Sequence, residues 1–197
     1  MRRLFALLLL LAVGAARASQ PEVTALMENY WRAYSKSDFT QAATFLDPRD
    51  LAALQSGILP LFLEAAESKN ANVVPLVKSF FTGVPPEKRK GMSGPQVFAG
   101  MNYMMRDVLP AAYAQLGKTT IRVTKVDIGA DDTAVVEYAV NLPDGEATDT
   151  ERANLHEGRW YLRTKDLPAV TVERFRMLLG LDFESGPDVK LSPPVIE

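Results

Sequence analysis

His156 is the only histidine in the chain, and Glu157 follows it in "ANLHEGRWYL". A histidine beside a carboxylate could act as a general base, provided the two side chains converge on one proton. Neighbouring strand residues point to opposite faces, so adjacency works against convergence. Ala153 and Leu155 share one face of such a strand, and Arg152, Asn154 and His156 share the other. On the return strand, Trp160 and Leu162 look inward, while Arg159, Tyr161 and Arg163 look outward. Gly158 supplies the positive φ of a short hairpin turn with a bulge. The pattern predicts a solvent-facing turn histidine and no catalytic His–Glu pair.

The remaining reactive residues form no better constellation. Without a placed histidine, Ser56-Gly57 and Ser93-Gly94 have no base, and neither carries a nucleophile-elbow pattern. Zero cysteines exclude disulfides, iron–sulfur clusters and thiol catalysis. One histidine and no cysteine argue against zinc, which prefers nitrogen and sulfur ligands. The acidic turns "GADDTA" and "PDGEATDTE" lack the alternating ligand spacing of an EF-hand and read as solvated turns. No catalytic residue, metal site or cofactor is expected. Glu137 alternates with Val136 and Tyr138 and should face outward. With the strand phase inverted it would be a buried carboxylate and a candidate acid.

The bulk sequence bounds the setting. Arg2 and Arg3, the apolar "LFALLLLLAVGAA" and the small-residue "ARA" read as a secretory signal over 1–18, cut after Ala18. The apolar run is short for a bilayer span. No cysteine stands at the junction for a lipid anchor. Losing Arg2, Arg3 and Arg17 leaves 19 of 22 basic residues against 24 acidic ones, a net charge of −5. That balance lacks the positive footprint of a nucleic-acid binder. The one basic cluster, "EKRK" at 87–90, reads as a solvated loop. The expected setting is periplasmic or secreted, without a stable membrane span after cleavage.

One domain is expected over 19–180, with a Pro-rich tail over 181–197. Val23, Leu26, Met27, Tyr30 and Tyr34 recur at helical spacing after Pro21. A second helix is predicted over 38–46, capped by Ser37 or Asp38. A third, short helix runs from Asp47-Pro48 through Leu54. Residues 55–118 are helical but broken by glycines and prolines, with apolar segments at 58–67 and 72–82. Within them, "SGPQVFAGMNYMMRDVL" has a Ser93/Gln96 capping box, and Pro110 kinks or ends the helix. "MNYMM" reads as core in preference to an adaptable apolar surface.

Four antiparallel strands follow. The first shifts phase between Val123 and Val126, which predicts a bulge near Thr124-Lys125 and a curved strand. The second places Val136, Tyr138, Val140 and Leu142 on one face. "DLPAVTVERFRMLLG" is a terminal helix, with Asp166 as possible cap and Gly180 as stop. The fold class is therefore α+β: N-terminal helices on a curved four-stranded antiparallel sheet, a helical insert and a C-terminal helix.

"MENYWRAYSKSD", "FTQAATFLDPRDLAAL" and the final hairpin "HEGRWYLR" together resemble the nuclear transport factor 2-like superfamily, over about 21–54 and 118–166. That superfamily includes ketosteroid isomerases, polyketide cyclases and many exported domains. The stretch 55–118 departs from it as an expanded insert. The resemblance implies a cone closed by helices, with a pocket lined by Tyr30, Tyr34, Tyr138 and the insert. Tyr103, on the insert, joins that ligand-binding set. Tyr30 matches the isomerase tyrosine that donates to the substrate oxyanion. The place of the isomerase base is held by Leu54, and Asp47 and Asp50 sit in a Pro-containing cap. This departure argues against isomerase chemistry.

Three functional expectations follow. The first is an exported, non-catalytic domain that binds a small apolar ligand or a partner protein. The second is an isomerase- or cyclase-like enzyme using Tyr30 with Tyr34, Tyr103 or Glu137. The third is an envelope interaction or homodimerisation module, favoured by an exposed apolar patch over 58–82.

Overall fold

The computed structural model describes residues 20–181 except 69, 143–144 and 165–167. The expected signal, the possible cap Asp166 and nearly all of the tail lie outside the described residues. Among the described residues, seven α-helices and four strands run in the order α1 (Gln20–Ser35), α2 (Phe39–Ala43), α3 (Pro48–Ala65), α4 (Val74–Phe80), α5 (Gly94–Val108), α6 (Pro110–Leu116), β1 (Thr120–Ile128), β2 (Thr133–Leu142), β3 (Gly145–His156), β4 (Arg159–Leu162) and α7 (Pro168–Leu178). A 3-10 helix, Pro86–Gly91, joins α4 to α5. The fold is the expected α+β arrangement.

The sheet is a meander, β1-β2-β3-β4, antiparallel throughout. Its register shifts between Val123 and Lys125, where the phase change in the sequence predicts the bulge. The extra residue, Thr124, donates its hydroxyl to the Glu137 carbonyl at 3.1 Å. Helix α1 lies on one face and packs on β1, β2 and β4. Its stripe of Val23, Leu26 and Met27 meets Val126, Val136, Ala153 and Leu162 in one core.

Three sequence expectations need correction. Helix α3 does not stop at Leu54 but passes through Gly57 and Pro60 to Ala65. Leu51, Leu54, Ile58, Phe62 and Ala65 are all buried, and this stripe outweighs the roughly 3 kcal/mol cost of an internal proline. Gly57 gives α7 room, because a β-carbon there would run into Val172. Helix α2 ends at Ala43 instead of 46, because the chain then pairs with the sheet. Asp47 N–H donates to the Leu162 carbonyl at 2.8 Å, and Leu162 N–H donates to the Phe45 carbonyl at 2.9 Å. The inward face of β2 fades along the strand, since Leu142 is exposed beyond the helix layer.

The helical insert forms a layer of its own. Helix α5 packs on α2, α3 and α4, and α7 packs on α3. The Phe62 and Phe80 rings stack at 3.7 Å, with Phe175 beside them at 5.7 Å. Gly100 lets α5 approach α4, as a β-carbon would stand 2.6 Å from the Phe80 carbonyl oxygen. Ser93 and Gln96 form the expected capping box. The α7 end is a Schellman turn: Gly180, at φ 61°, and Leu181 donate to the Met177 and Arg176 carbonyls.

Candidate functional site

The histidine lies away from any such site. His156 ends β3 opposite Arg159, and Glu157 and Gly158 form a two-residue turn at φ 51° and 77°. Both positive φ values mark a type I′ turn, so the expected bulge is absent. Glu137 faces outward as expected: its carboxylate lies 3.9 Å from Lys125 Nζ, with its side chain half exposed. The inverted strand phase, and with it a buried Glu137 acid, is ruled out.

A cavity of about 180 Å³ lies where α1, α5 and the sheet meet. Tyr30, Tyr34, Leu46, Phe98 and Leu162 form its apolar and aromatic walls. Glu151, Arg163 and Thr164 supply its polar part. Tyr30 and Tyr34, one helical turn apart on α1, stack with centroids 5.5 Å apart.

Glu151 was missed in the sequence, yet the signal was present. In β3 the alternation that turns Ala153 and Leu155 inward also turns Asp149 and Glu151 inward. The register agrees, because Glu151 pairs with the buried Val136 and Asp149 pairs with Tyr138. Burial, and then the charge of Glu151, push the Tyr30 hydroxyl well above the usual phenol range. Tyr30 therefore stays protonated at any physiological pH.

Tyr34 reaches the cavity from a fixed position. Its hydroxyl donates to Asn102 Oδ1 at 2.8 Å, and Tyr113 donates to the same atom at 3.3 Å. Asn102 is buried, and its Nδ2 donates to the Phe98 carbonyl at 2.9 Å. Three helices are thus joined at one amide. Asn102 lies in the "MNYMM" run, whose Met101 and Met104 are core as expected.

The polar wall is held from α3. Arg163 Nε and Nη2 donate to Asp50 Oδ2 and Oδ1 at 2.7 and 2.8 Å. Thr164 donates its backbone N–H and its hydroxyl to Asp50 Oδ2 at 2.9 and 3.3 Å. With the Asn154 amide oriented to satisfy both ends, its oxygen accepts from Arg163 Nη1 at 3.1 Å. Asp47, fully buried, caps α3 through Arg49 N–H at 2.9 Å and takes the Arg49 guanidinium at 2.6 Å. That guanidinium holds the Asp47 carboxyl down at about 2, against the opposing pull of burial. Both aspartates are taken up in structural contacts.

The other two sequence-predicted residues are placed differently. Tyr138 is buried on the same sheet face, tilted against Trp31 at 6.2 Å, and donates to Asp149 at 3.4 Å. Tyr103 packs edge-on to Phe39 at 5.2 Å with Arg106 over its ring, and it does not line the cavity.

Elsewhere, an open groove of about 600 Å³ on the insert is bordered by Val74, Val77, Phe81 and Arg89. The Arg89 guanidinium lies 4.6 Å above Phe81, so this member of the basic cluster is packed while its lysine neighbours are exposed. Among the described residues, no three of His, Cys, Asp and Glu converge as a metal cluster, and no helix is long and apolar enough to cross a membrane. No family model, curated protein or solved structure matches the chain.

Proposed function

We propose that this chain is an exported, non-catalytic binding domain of the nuclear transport factor 2-like type, holding a small, mostly apolar ligand between α1 and the sheet. The observation that carries this reading is the cavity itself. Aromatic and aliphatic walls meet a few placed polar groups, the usual composition of a small-molecule site. Its volume of about 180 Å³ is below the roughly 300–1,000 Å³ of drug-sized ligand sites. It is close to the ~150 Å³ that accommodates benzene in an apolar cavity. The ligand is therefore a compact molecule.

The interaction-module reading is weaker. Between 58 and 82 the large apolar side chains are buried or half-buried within the chain, apart from Val74. The described residues of that stretch thus leave no broad apolar patch for a partner.

Native mass spectrometry on the mature protein, purified from the exporting compartment, tests the proposal. A one-to-one small-molecule adduct on the monomer is expected. A bare protein whose Tyr30, Tyr34 and Leu162 resonances ignore a library of compact fragments would overturn it.

One observation favours a second, enzymatic reading. Tyr30 and Glu151 share the cavity, so a hydrogen-bond donor and a carboxylate base face one small volume. Such a pair could abstract a proton beside a carbonyl. Incubation with small ketones in deuterium oxide would then show α-deuteration that Glu151→Gln abolishes. Exchange at the rate of buffer alone removes this reading.

A further inference from the structure

We propose that the open groove on the helical insert is a second ligand site, separate from the α1 cavity, and that it takes a single-chain aliphatic carboxylate. The aliphatic tail lies on the α4 face, and the anionic head lies at Arg89 and Lys78.

The apolar half of the site follows from the spacing along α4. Val74, Val77, Lys78 and Phe81 fall at intervals of three and four residues, so they form one stripe, and all four border the groove. Ala65 and Ala66, at the C-terminal end of α3, complete this part of the lining. Side chains that small leave room, and the groove holds about 600 Å³. That is within the range of small-molecule sites and more than three times the α1 cavity. Val77 and Phe81 are buried, but Val74 continues their stripe at 53% exposure. An aliphatic tail laid along the stripe removes Val74 from water. A protein partner would need a broader apolar surface than this strip provides.

The polar half is cationic. Among the described residues that line the groove, the charged ones are Lys78 and Arg89. Neither side chain makes an ion pair with another described residue. Arg89 is held in place without being neutralised. Its guanidinium lies 4.6 Å over the Phe81 ring, and its Nε is buried with no acceptor. A buried N–H without a partner costs free energy that an arriving acceptor recovers. The guanidinium fork matches a carboxylate, and the stacking on Phe81 has already removed much of the freedom of a long side chain. Lys88 and Lys90 flank Arg89 and are exposed, against the single acid Glu87 in the same 3-10 helix. A cationic ligand would meet like charge here. A neutral one would leave both lining cations unpaired. An aliphatic carboxylate satisfies the cations and the apolar stripe together.

The test titrates octanoate, octanol, octylammonium and acetate into the mature protein at pH 7. The Phe81 ring and the Val74 and Val77 methyl resonances report this groove, and those of Tyr30 and Tyr34 report the α1 cavity. Octanoate is expected to move the groove resonances and to bind about five-fold tighter than octanol, with octylammonium weakest and acetate not saturating. Lengthening the tail from hexanoate to octanoate should tighten binding at least two-fold. Arg89→Gln should bring octanoate down to the level of octanol while octanol still binds, and Lys78→Gln gives the same test if Arg89→Gln does not fold. The proposal fails if octanol or octylammonium binds as well as octanoate, or if no probe moves the groove resonances. It also fails if octanoate moves only Tyr30 and Tyr34, a result that would leave the α1 cavity reading standing. A dimer that Val74→Asp splits would make a second copy the occupant, and Overhauser contacts between residues 182–197 and Phe81 would make it the chain's own tail. Either result overturns the carboxylate proposal.

Discussion

Asp50 on α3 and Arg163 just beyond β4 form a two-pronged ion pair, with both bonds below 3 Å and the carboxylate almost wholly buried. The pair ties the N-terminal turn of a helix in the insert layer to the last strand of the sheet. Removing one partner strands a buried charge, which costs more than the pair itself contributes. Arg163→Met, which keeps the aliphatic stem, should lower stability by about 2–3 kcal/mol, less than for a fully buried pair because Arg163 is partly exposed. Replacing Asp50 with Asn in the same chain should recover part of that loss. Urea unfolding of the two single variants and the double variant measures the coupling. A loss below about 0.5 kcal/mol for Arg163→Met would show that solvent already screens the pair.

Asn102 is the second joint. Its amide takes protons from Tyr34 and Tyr113 and gives one to the Phe98 carbonyl. Asn102→Leu keeps the volume but leaves two hydroxyls without their acceptor, for an expected cost of about 1–3 kcal/mol. Tyr34→Phe removes one bond and should cost about 1 kcal/mol. Because the groups share one amide, the two substitutions combined should cost less than the sum of their separate effects. Simple additivity in thermal or urea unfolding would contradict the hub.

Much of this architecture is legible in the sequence because local pattern and burial agree. The apolar stripe of α1, the Asp47-Pro48 helix start, the Ser93/Gln96 box and the bulge at Thr124 each follow from a few adjacent residues. The failures occur where long-range contacts overrule local signals. Gly57 and Pro60 look like breaks, but α7 and the core hold the helix through them. Leu46 looks like the end of a helical stripe, but it bridges to Leu162, 116 residues away in sequence. Tyr30 and Tyr34, two of the eight residues that line the cavity, are legible in the sequence as ligand-binding candidates. Glu151 was legible in principle from the alternation of β3. Arg163 and Thr164 were not, because their role depends on Asp50 arriving from a distant helix.

The hairpin turn carries an improvable residue. Glu157 adopts φ 51°, a conformation that costs residues with a β-carbon roughly 1–2 kcal/mol and suits asparagine better. Type I′ turns favour Asn-Gly, and Gly158 already occupies the second place. Glu157→Asn should raise stability by about 0.5–1 kcal/mol without altering the cavity. A higher urea midpoint with an unchanged slope is the expected result. A lower midpoint would indicate that the Glu157 side chain makes a contribution larger than the backbone strain.

Asp47 gives the fold a defined acid sensitivity. Its folded carboxyl titrates at about 2 rather than the ordinary 3.8, chiefly because the Arg49 guanidinium binds it. A carboxyl lowered on folding stabilises the native state fully above its unfolded value. That contribution disappears as pH falls from about 4 through about 2. Arg49→Gln removes the guanidinium while leaving the backbone N–H cap to Asp47 in place. The wild type should therefore have the higher urea midpoint at pH 7, and the gap between the two proteins should narrow steadily between pH 4 and pH 2. A gap that persists unchanged through that window would mean that Arg49 stabilises α3 by packing or dipole effects, independently of the Asp47 charge. A gap that closes already between pH 6 and pH 5 would point to a different carboxyl, one whose folded value is raised.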